Sequence, residues 1–257
     1  MTSLVLNMLA KDSALTIGRA LRSVKPYISA WCIGISEGDI DQAKVIFHEL
    51  RGIPGEIIDV GPVWPQGFAS MRQKVYDHSR HMAEYMFWLD ADDYIETDGP
   101  LADDLWCDYY AMQFKFPDTG VDFERVHFVR CASDLRWKHH AHEGFFVADQ
   151  RPMGYVRSWR YMYSFMPANQ RRLELNVALS LLDTQEHPND MSVLFGLAQN
   201  QLYLNDFDSV RRIMSMLRET DGYHHHWQVL RKLFFAHLEQ LSKKALDGSA
   251  SIGITGV

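Results

Sequence analysis

The stretch YMFWLDADDYIE, Tyr85 to Glu96, sets three carboxylates within four positions directly behind an apolar, aromatic run. Carboxylates held this close repel one another unless water or a cation offsets the charge. Asp90 and Asp92, one residue apart at the end of a buried strand, form the kind of pair that Mg²⁺ or Mn²⁺ accepts alongside phosphate oxygens and water. An acidic turn is the plain alternative; the buried MFWL ahead of it and the strand-end position favour the cation.

The elements that must hold these residues follow from hydrophobic periodicity. Apolar runs at Leu4–Leu9, Ala30–Ile35, Glu56–Val60 and Tyr85–Leu89 predict strands. Between them Ile17, Ala20, Leu21 and Val24, then Ala43, Ile46, Phe47 and Leu50, repeat at helical spacing, and a third helix is expected from about Phe68 to Met82. Asp12 or Ser13 is expected to cap the first helix, with Pro26 beyond its end; Asp39 or Asp41 is expected to cap the second, with Gly52 as its stop. Such alternation implies a parallel sheet covered on both faces, with ligands at the carboxyl ends of the strands. LDADD stands at such an end.

From about residue 105 to 165 shorter segments, WCDYYAMQF, RVHFVRC, EGFFV and YVRSWRYMYSF, predict further, partly antiparallel sheet. From Asn169 onward the pattern is helical. Leu194, Leu197, Ala198, Phe207 and Val210 fit a tetratricopeptide-like helix pair with Asn205 at a left-handed turn, and Trp227, Leu230 and Phe234 restart the pattern. One repeat and a fraction makes no free-standing solenoid, so the tail is expected to pack against the sheet. The expected division is 1–166 for the sheet domain and 167–257 for the tail, with a frayed DGSASIGITGV end.

Four motifs in order resemble the family-2, GT-A-fold glycosyltransferases, enzymes that use nucleotide-sugars. LNMLAKDS is similar to the family's first strand and K-N-E turn, and IGRALRSVKPYISAWCIGI to its first helix and second strand. PQGFASMRQKVYDHSR resembles its F-x-x-x-R-N-x-A-L helix, and FWLDADD its L-D-A-D-[DE] motif. The resemblance spans residues 4–93 and implies a GT-A, Rossmann-like mixed α/β sheet with an α-helical appendage. It implies that Ala10, Lys11 and Asp12 line the base and ribose pocket with Asp39 beside them, and that Arg72 reaches the base or diphosphate. Asp90 would contact ribose and metal, and Asp92 would ligate the metal and serve catalysis. Two departures leave the base open, with a UDP-sugar as the default donor: the family's D-x-G-S-x-D turn reads GISEGD, where only Asp39 matches, and Lys-Asp replaces Lys-Asn.

KHHAHEGFF, Lys138 to Phe146, carries a pair similar to the H-E of related transferases with helical tails. The resemblance implies His142 as a metal ligand and Glu143 as the base that takes the acceptor proton, with Asp134 and Asp122 as other candidates. A surface loop with a satisfied histidine is the alternative. No zinc-protease signature is present, because Phe146 stands where a second histidine would be needed.

Composition bounds the rest. With 257 residues, 47% of them hydrophobic, the chain can bury a large core, and Cys32, Cys107 and Cys131 are expected as reduced core thiols. No run approaches the ~20 apolar residues of a membrane span, and MTSLVLNMLAKDS lacks a signal peptide's features, so a cytoplasmic protein is expected. Residues 119–175 carry nine Lys/Arg against six Asp/Glu, whereas the first 118 carry ten against eighteen. That basic segment, with five arginines between Arg151 and Arg172 among aromatics, raises an anionic acceptor: a phosphorylated group, a lipid head group or a nucleic-acid strand, nucleic acid being expected only as a modified-base acceptor. The His224–His226 run is expected as a solvated helix start. Two other classes compete with the transferase. One is a nucleotidyltransferase-like enzyme, weakened because the first turn, LAKDS, has no Gly-rich phosphate loop; the other is a non-catalytic helical adaptor with a degenerate sheet domain.

Overall fold

A computed structural model of the chain describes residues 2–36, 40–99, 105–116, 121–141, 144–146, 151–164, 170–188 and 190–246. Asp39, His142 and Glu143 lie outside the described residues, as does the expected boundary at 166. The four apolar runs of the amino-terminal part form β1 (Leu4–Ala10), β2 (Ala30–Ile35), β3 (Gly55–Asp59) and β4 (Tyr85–Trp88). They pair in parallel in the order β3-β2-β1-β4. Both faces of β1, β2 and β4 are covered, which is why these strands read as continuous apolar runs and not as alternations. Helices α1 (Ile17–Val24) and α2 (Ile40–Glu49) lie on one face, where Ile17, Leu21, Val24 and Ile46 meet Leu4, Leu6 and Met8 of β1. Helix α3 (Gly67–Ser79) lies on the other, with Met71 and Val75 against Cys32 of β2.

The connectivity is Rossmann-like. The chain runs outward from β1 through β2 to β3, and α3 then carries it back across to β4 on the far side of β1. Strand order therefore reverses between β1 and β4, and the crevice at their carboxyl ends is the place where open α/β sheets bind ligands. Lys11 and Asp12 leave β1 there, and Asp90 leaves β4 there.

Beyond β4 the sheet becomes mixed. β5 (Tyr94–Thr97), β6 (Tyr109–Phe116), β7 (Val121–Arg130) and β10 (Met153–Met162) complete an eight-stranded sheet in the order β3-β2-β1-β4-β7-β6-β10-β5. A separate antiparallel pair, β8 (Arg136–Lys138) with β9 (Gly144–Phe146), crosses α3. The acidic stretch thus joins two strands: β4 stops at Trp88, Asp93 N donates to Asp90 O at 3.2 Å, and β5 departs for the opposite sheet edge.

The capping expectation for α1 is corrected. The helix starts at Ile17, Thr16 caps it with no side-chain bond, and Asp12 sits at φ 51°. The loop is fastened from elsewhere: Gln42, fully buried on α2, accepts from Ser13 N at 2.8 Å, and Ser13 O accepts from Ile17 N. Four helices follow the sheet, α4 (Gln170–Glu186), α5 (Met191–Tyr203), α6 (Phe207–Glu219) and α7 (His224–Leu246). Asp190 and Asp206 cap α5 and α6 through Ser192 N and Ser209 N, and Asn205 adopts φ 62° in the turn between them, as its position predicts. The tail packs on the sheet: α7 touches β7, and Leu179 of α4 is buried with Val60, Met71 and Val75. All three cysteines are buried free thiols; burial pushes Cys32 and Cys131 up to about 12.

Candidate functional site at the switch-point crevice

The site is built around Asp90. Helix α3 delivers Arg72, 6% exposed, into an ion pair with the Asp90 carboxylate. Two indoles hold the guanidinium in place: it lies 4.8 Å from the ring centre of Trp88 and 5.2 Å from that of Trp137. A second guanidinium, Arg125 of β7, lies 4.7 Å from the Trp88 ring and 5.8 Å from Phe114. Burial opposes ionisation of Asp90, but the charges of Arg72 and Arg125 and hydrogen bonds from Arg72 and Tyr161 outweigh it and hold the carboxyl below the usual range.

Asp93 is the opposite case. It is 1% exposed, and burial, followed by the charges of Asp90 and Asp92, pushes it up to about 8. Three carboxylates within four positions therefore do not share one state, because Arg72 pairs with the first while burial and its neighbours' charge act against ionisation of the third. The Tyr161 hydroxyl oxygen lies 2.8 Å from Asp93 Oδ2 and 3.2 Å from Asp90 Oδ2. Its single proton serves one carboxyl, and the proton retained by Asp93 supplies the other hydrogen bond. Ser164 N donates to Asp93 Oδ1 at 2.7 Å, so the inward turn of Asp93 is fixed by β10 and the residues directly after it.

Beneath this layer His127 is fully buried. Its ring stacks 4.1 Å from Trp88 and 4.3 Å from Tyr161, and its Nδ1 lies 3.1 Å from Trp88 O. That carbonyl can only accept, so Nδ1 carries the proton. Burial first, then Arg125, pushes its pKa well below the ordinary value, so the ring is a neutral spacer under Trp88.

The remaining candidates divide by position. Ala10, 3% exposed, ends β1 opposite Ile35, and Lys11 and Asp12 are exposed on the same rim as Asp90. Asp92 is half-buried beside Asp90, and its backbone carbonyl accepts from Arg19 Nη2 at 2.9 Å. Asp134 is removed from the site. The pairing of Tyr85 with Arg130, and the bond from Cys131 N to Glu84 O, put it at the amino end of β4, where it binds Arg151 at 2.6 Å. Asp122 accepts from Gln113 Nε2 on the neighbouring strand.

Of the five arginines of the basic stretch, Arg151 and Arg160 are paired within the chain and Arg157 lies over the Tyr155 ring. Arg151 meets Asp108 and Asp134, and Arg160 binds Asp98 through both guanidinium nitrogens at 2.5 and 2.8 Å. Arg125, Trp137 and Tyr161 were not singled out for the site by the sequence. Arg125 and Tyr161 lie in ordinary strand patterns and come to Asp90 only through strand order, whereas Trp137 lies on the short β8 and meets Arg72 because that strand crosses α3.

Among the described residues no group of three or more His, Cys, Asp or Glu side chains is arranged to hold a metal ion. The donor chemistry of Asp90 and Asp92 nonetheless suits a hard divalent ion, which takes one or two carboxylates and fills its shell with phosphate oxygens and water.

Fold and site together describe a mixed α/β protein with a charged switch-point crevice and an appended helical bundle. No family model and no curated protein sequence matches it. Among solved structures it is similar to HddC from Yersinia pseudotuberculosis, with 10% sequence identity and a TM-score of 0.39 over 61% of this chain and 90% of that one. A likeness of that size says nothing about chemistry. Among the described residues no helix is long and apolar enough to cross a membrane.

Proposed function

We propose that the protein is a metal-dependent glycosyltransferase of the GT-A type, moving a sugar from a nucleoside diphosphate, UDP first among the candidates, to an acceptor hydroxyl with inversion. The observation that carries this reading is the Arg72–Asp90 pair at the point where strand order reverses, with Asp92 beside it. A nucleotide-sugar needs a crevice of this kind: one wall to hold the nucleoside and cationic groups to face the departing diphosphate.

In this reading Ala10, Lys11, Asp12 and Asp39 line the nucleoside. Arg72 and Arg125 face the diphosphate charge, with Arg72 kept in line by the two indoles. Asp90 and Asp92 would hold Mn²⁺ or Mg²⁺, which supplies Lewis-acid stabilisation of the leaving diphosphate, and His142 would complete the shell. Glu143 is the candidate base for the acceptor proton. Residues 1–166 would form the transferase domain, with acceptor choice in the mixed strands and the tail of 167–257, and the protein would work in the cytoplasm.

Donor hydrolysis tests the proposal. UDP-, GDP- and CMP-sugars are incubated with and without Mn²⁺, and the same ligands are screened for a rise in melting temperature, since a ligand of the folded state stabilises it. Asp92→Ala is expected to abolish turnover while leaving the melting temperature of the free protein within a few degrees. Near-wild-type, metal-dependent turnover by that variant would falsify the site assignment. Absence of any donor effect on the wild type would favour a binding role for the helical tail.

A further inference from the structure

Between β8 and the end of the described segment at Ala141, the chain crosses α3 as a strap. It is fastened to α3 from below: Trp137 N donates to Gln73 Oε1 at 3.0 Å, and Phe68 N in the first turn of α3 donates to His140 O at 2.8 Å. The approach is so close that a Cβ on Gly67, which has φ +74°, would stand 2.6 Å from His140 Cα. From above, the helical tail grips the strap, with Glu186 3.9 Å from His140, Asp190 3.7 Å from His139 and the hydrogen bonds made by Asp183. Asp183 of α4, 2% exposed, accepts from His140 N at 2.7 and 2.9 Å, from Ala141 N at 3.0 Å and from His140 Nδ1 at 3.0 Å. His139, next along the strap, is held at φ 73°, a conformation that non-glycine residues seldom adopt.

A carboxylate is an expensive group to bury, and a helix docked only for stability would use apolar contacts such as that of Leu179 one turn away. What Asp183 fixes is direction, because three N–H donors converging on one carboxylate leave the strap a single placement. The strap carries Trp137, whose ring lies 5.2 Å from the Arg72 guanidinium, so its placement bears on the residue that grips Asp90. Beside the clasp, α3, the strap and α4 border a polar groove of about 370 Å³, so continuous packing does not do this job there.

We infer that Asp183 is a positioning residue for Arg72, which makes the helical tail part of the donor site; the inference rests on the transferase reading for its functional consequence. The structural link is tested without any ligand. In the free full-length protein the Arg72 Nε–Hε NMR resonance, identified by its loss in Arg72→Lys, is expected to shift or broaden in Asp183→Asn. Leu230→Ala, which opens a hole in the tail core far from the clasp, is expected to lower the melting temperature at least as much and to leave that resonance in place.

The functional link is read from dissociation constants for UDP, GDP and CDP with Mn²⁺. Whichever the wild type binds is expected to weaken roughly tenfold or more in Asp183→Asn and to be unchanged in Leu230→Ala. A folded Asp183→Asn protein with an unmoved Arg72 resonance overturns the inference, as does an equal effect from Leu230→Ala. Should Asp183→Asn fail to fold, Gly67→Ala, which pushes the strap from the α3 side, is expected to move the resonance; an unmoved signal there overturns the inference too. If the wild type binds none of the three nucleotides, the donor reading fails while the resonance still decides the clasp.

Discussion

Asp90, Asp92 and Asp93 are one residue type in one turn, and their surroundings make them different acids. Asp90 is held low by Arg72 despite burial, and Asp93 is raised to about 8 by burial and by its neighbours' charge. The two affect stability in opposite directions. An unfolded aspartate titrates near ~3.9, so between about pH 4 and about pH 8 folded Asp93 keeps a proton that the unfolded chain has released. Its contribution is greatest at the acid end of that window and is lost as pH rises through it. Asp90 contributes above the ordinary carboxylate range and loses its contribution as pH falls below it. Asp93→Asn, which keeps a neutral side chain of the same shape, is expected to flatten the decline in stability between pH 5 and 8, measured as the midpoint of urea unfolding. A decline as steep as the wild type's would show that Asp93 ionises normally. Arg72→Met removes the cation beside Asp90 and is expected to cost about 1–3 kcal/mol, below the usual buried-pair loss because the Asp90 side chain is 32% exposed. Adding Asp90→Asn should recover most of that loss, since no stranded charge then remains.

At the level of elements, burial pattern explains both what could be read in advance and what could not. Strands β1, β2 and β4 were legible because sheet buried on both faces leaves uninterrupted apolar runs, β3 at the sheet edge was legible from Ile57 and Ile58, and α1 from its stripe of Ile17, Ala20, Leu21 and Val24. β5 and β8 were not, being four and three residues long with polar residues among them. The cap of α1 was misplaced because Gln42, 29 positions away, holds Ser13, and no local pattern reports a bond of that range. The same holds for the site. The DADD turn and Arg72 were visible as motif residues, but Tyr161 and Arg125 reach Asp90 only through the order β4-β7-β6-β10. Gly34 shows what this packing tolerates. Near the carboxyl end of β2 an added Cβ would meet Val60 and Val75 at 2.7 Å and Leu9 at 2.9 Å, all side chains packed against it. Gly34→Ala is therefore expected to lower stability by about 1–3 kcal/mol through overpacking. Denaturant unfolding at fixed pH measures it, and a neutral result would mean that α3 can move away from β2 at little cost.

For the whole molecule the open question is whether the sheet and the tail are separable. A net charge of −7 conceals a basic middle segment, in which Arg151 and Arg160 pair with Asp134 and Asp98 of the sheet part rather than with the tail. Apolar contact joins sheet and tail. Leu179 fills a cluster with Val60, Met71 and Val75, and Asp183 gives three N–H groups of the strap and its histidine their acceptor. Cutting the chain at the expected boundary would expose that apolar surface and leave buried donors without partners, a combination that costs more than either loss alone. A fragment of residues 1–166 is therefore expected to melt at a lower temperature and less cooperatively than the full chain, and to bind a hydrophobic dye at temperatures where the full chain does not. Adding the separate tail of residues 167–257 should reverse part of the dye signal, because the same surfaces can re-form between two chains. A fragment that melts as sharply as the intact protein, with no dye binding, would instead mark 1–166 as an autonomous domain and the contacts around Leu179 and Asp183 as incidental to its folding.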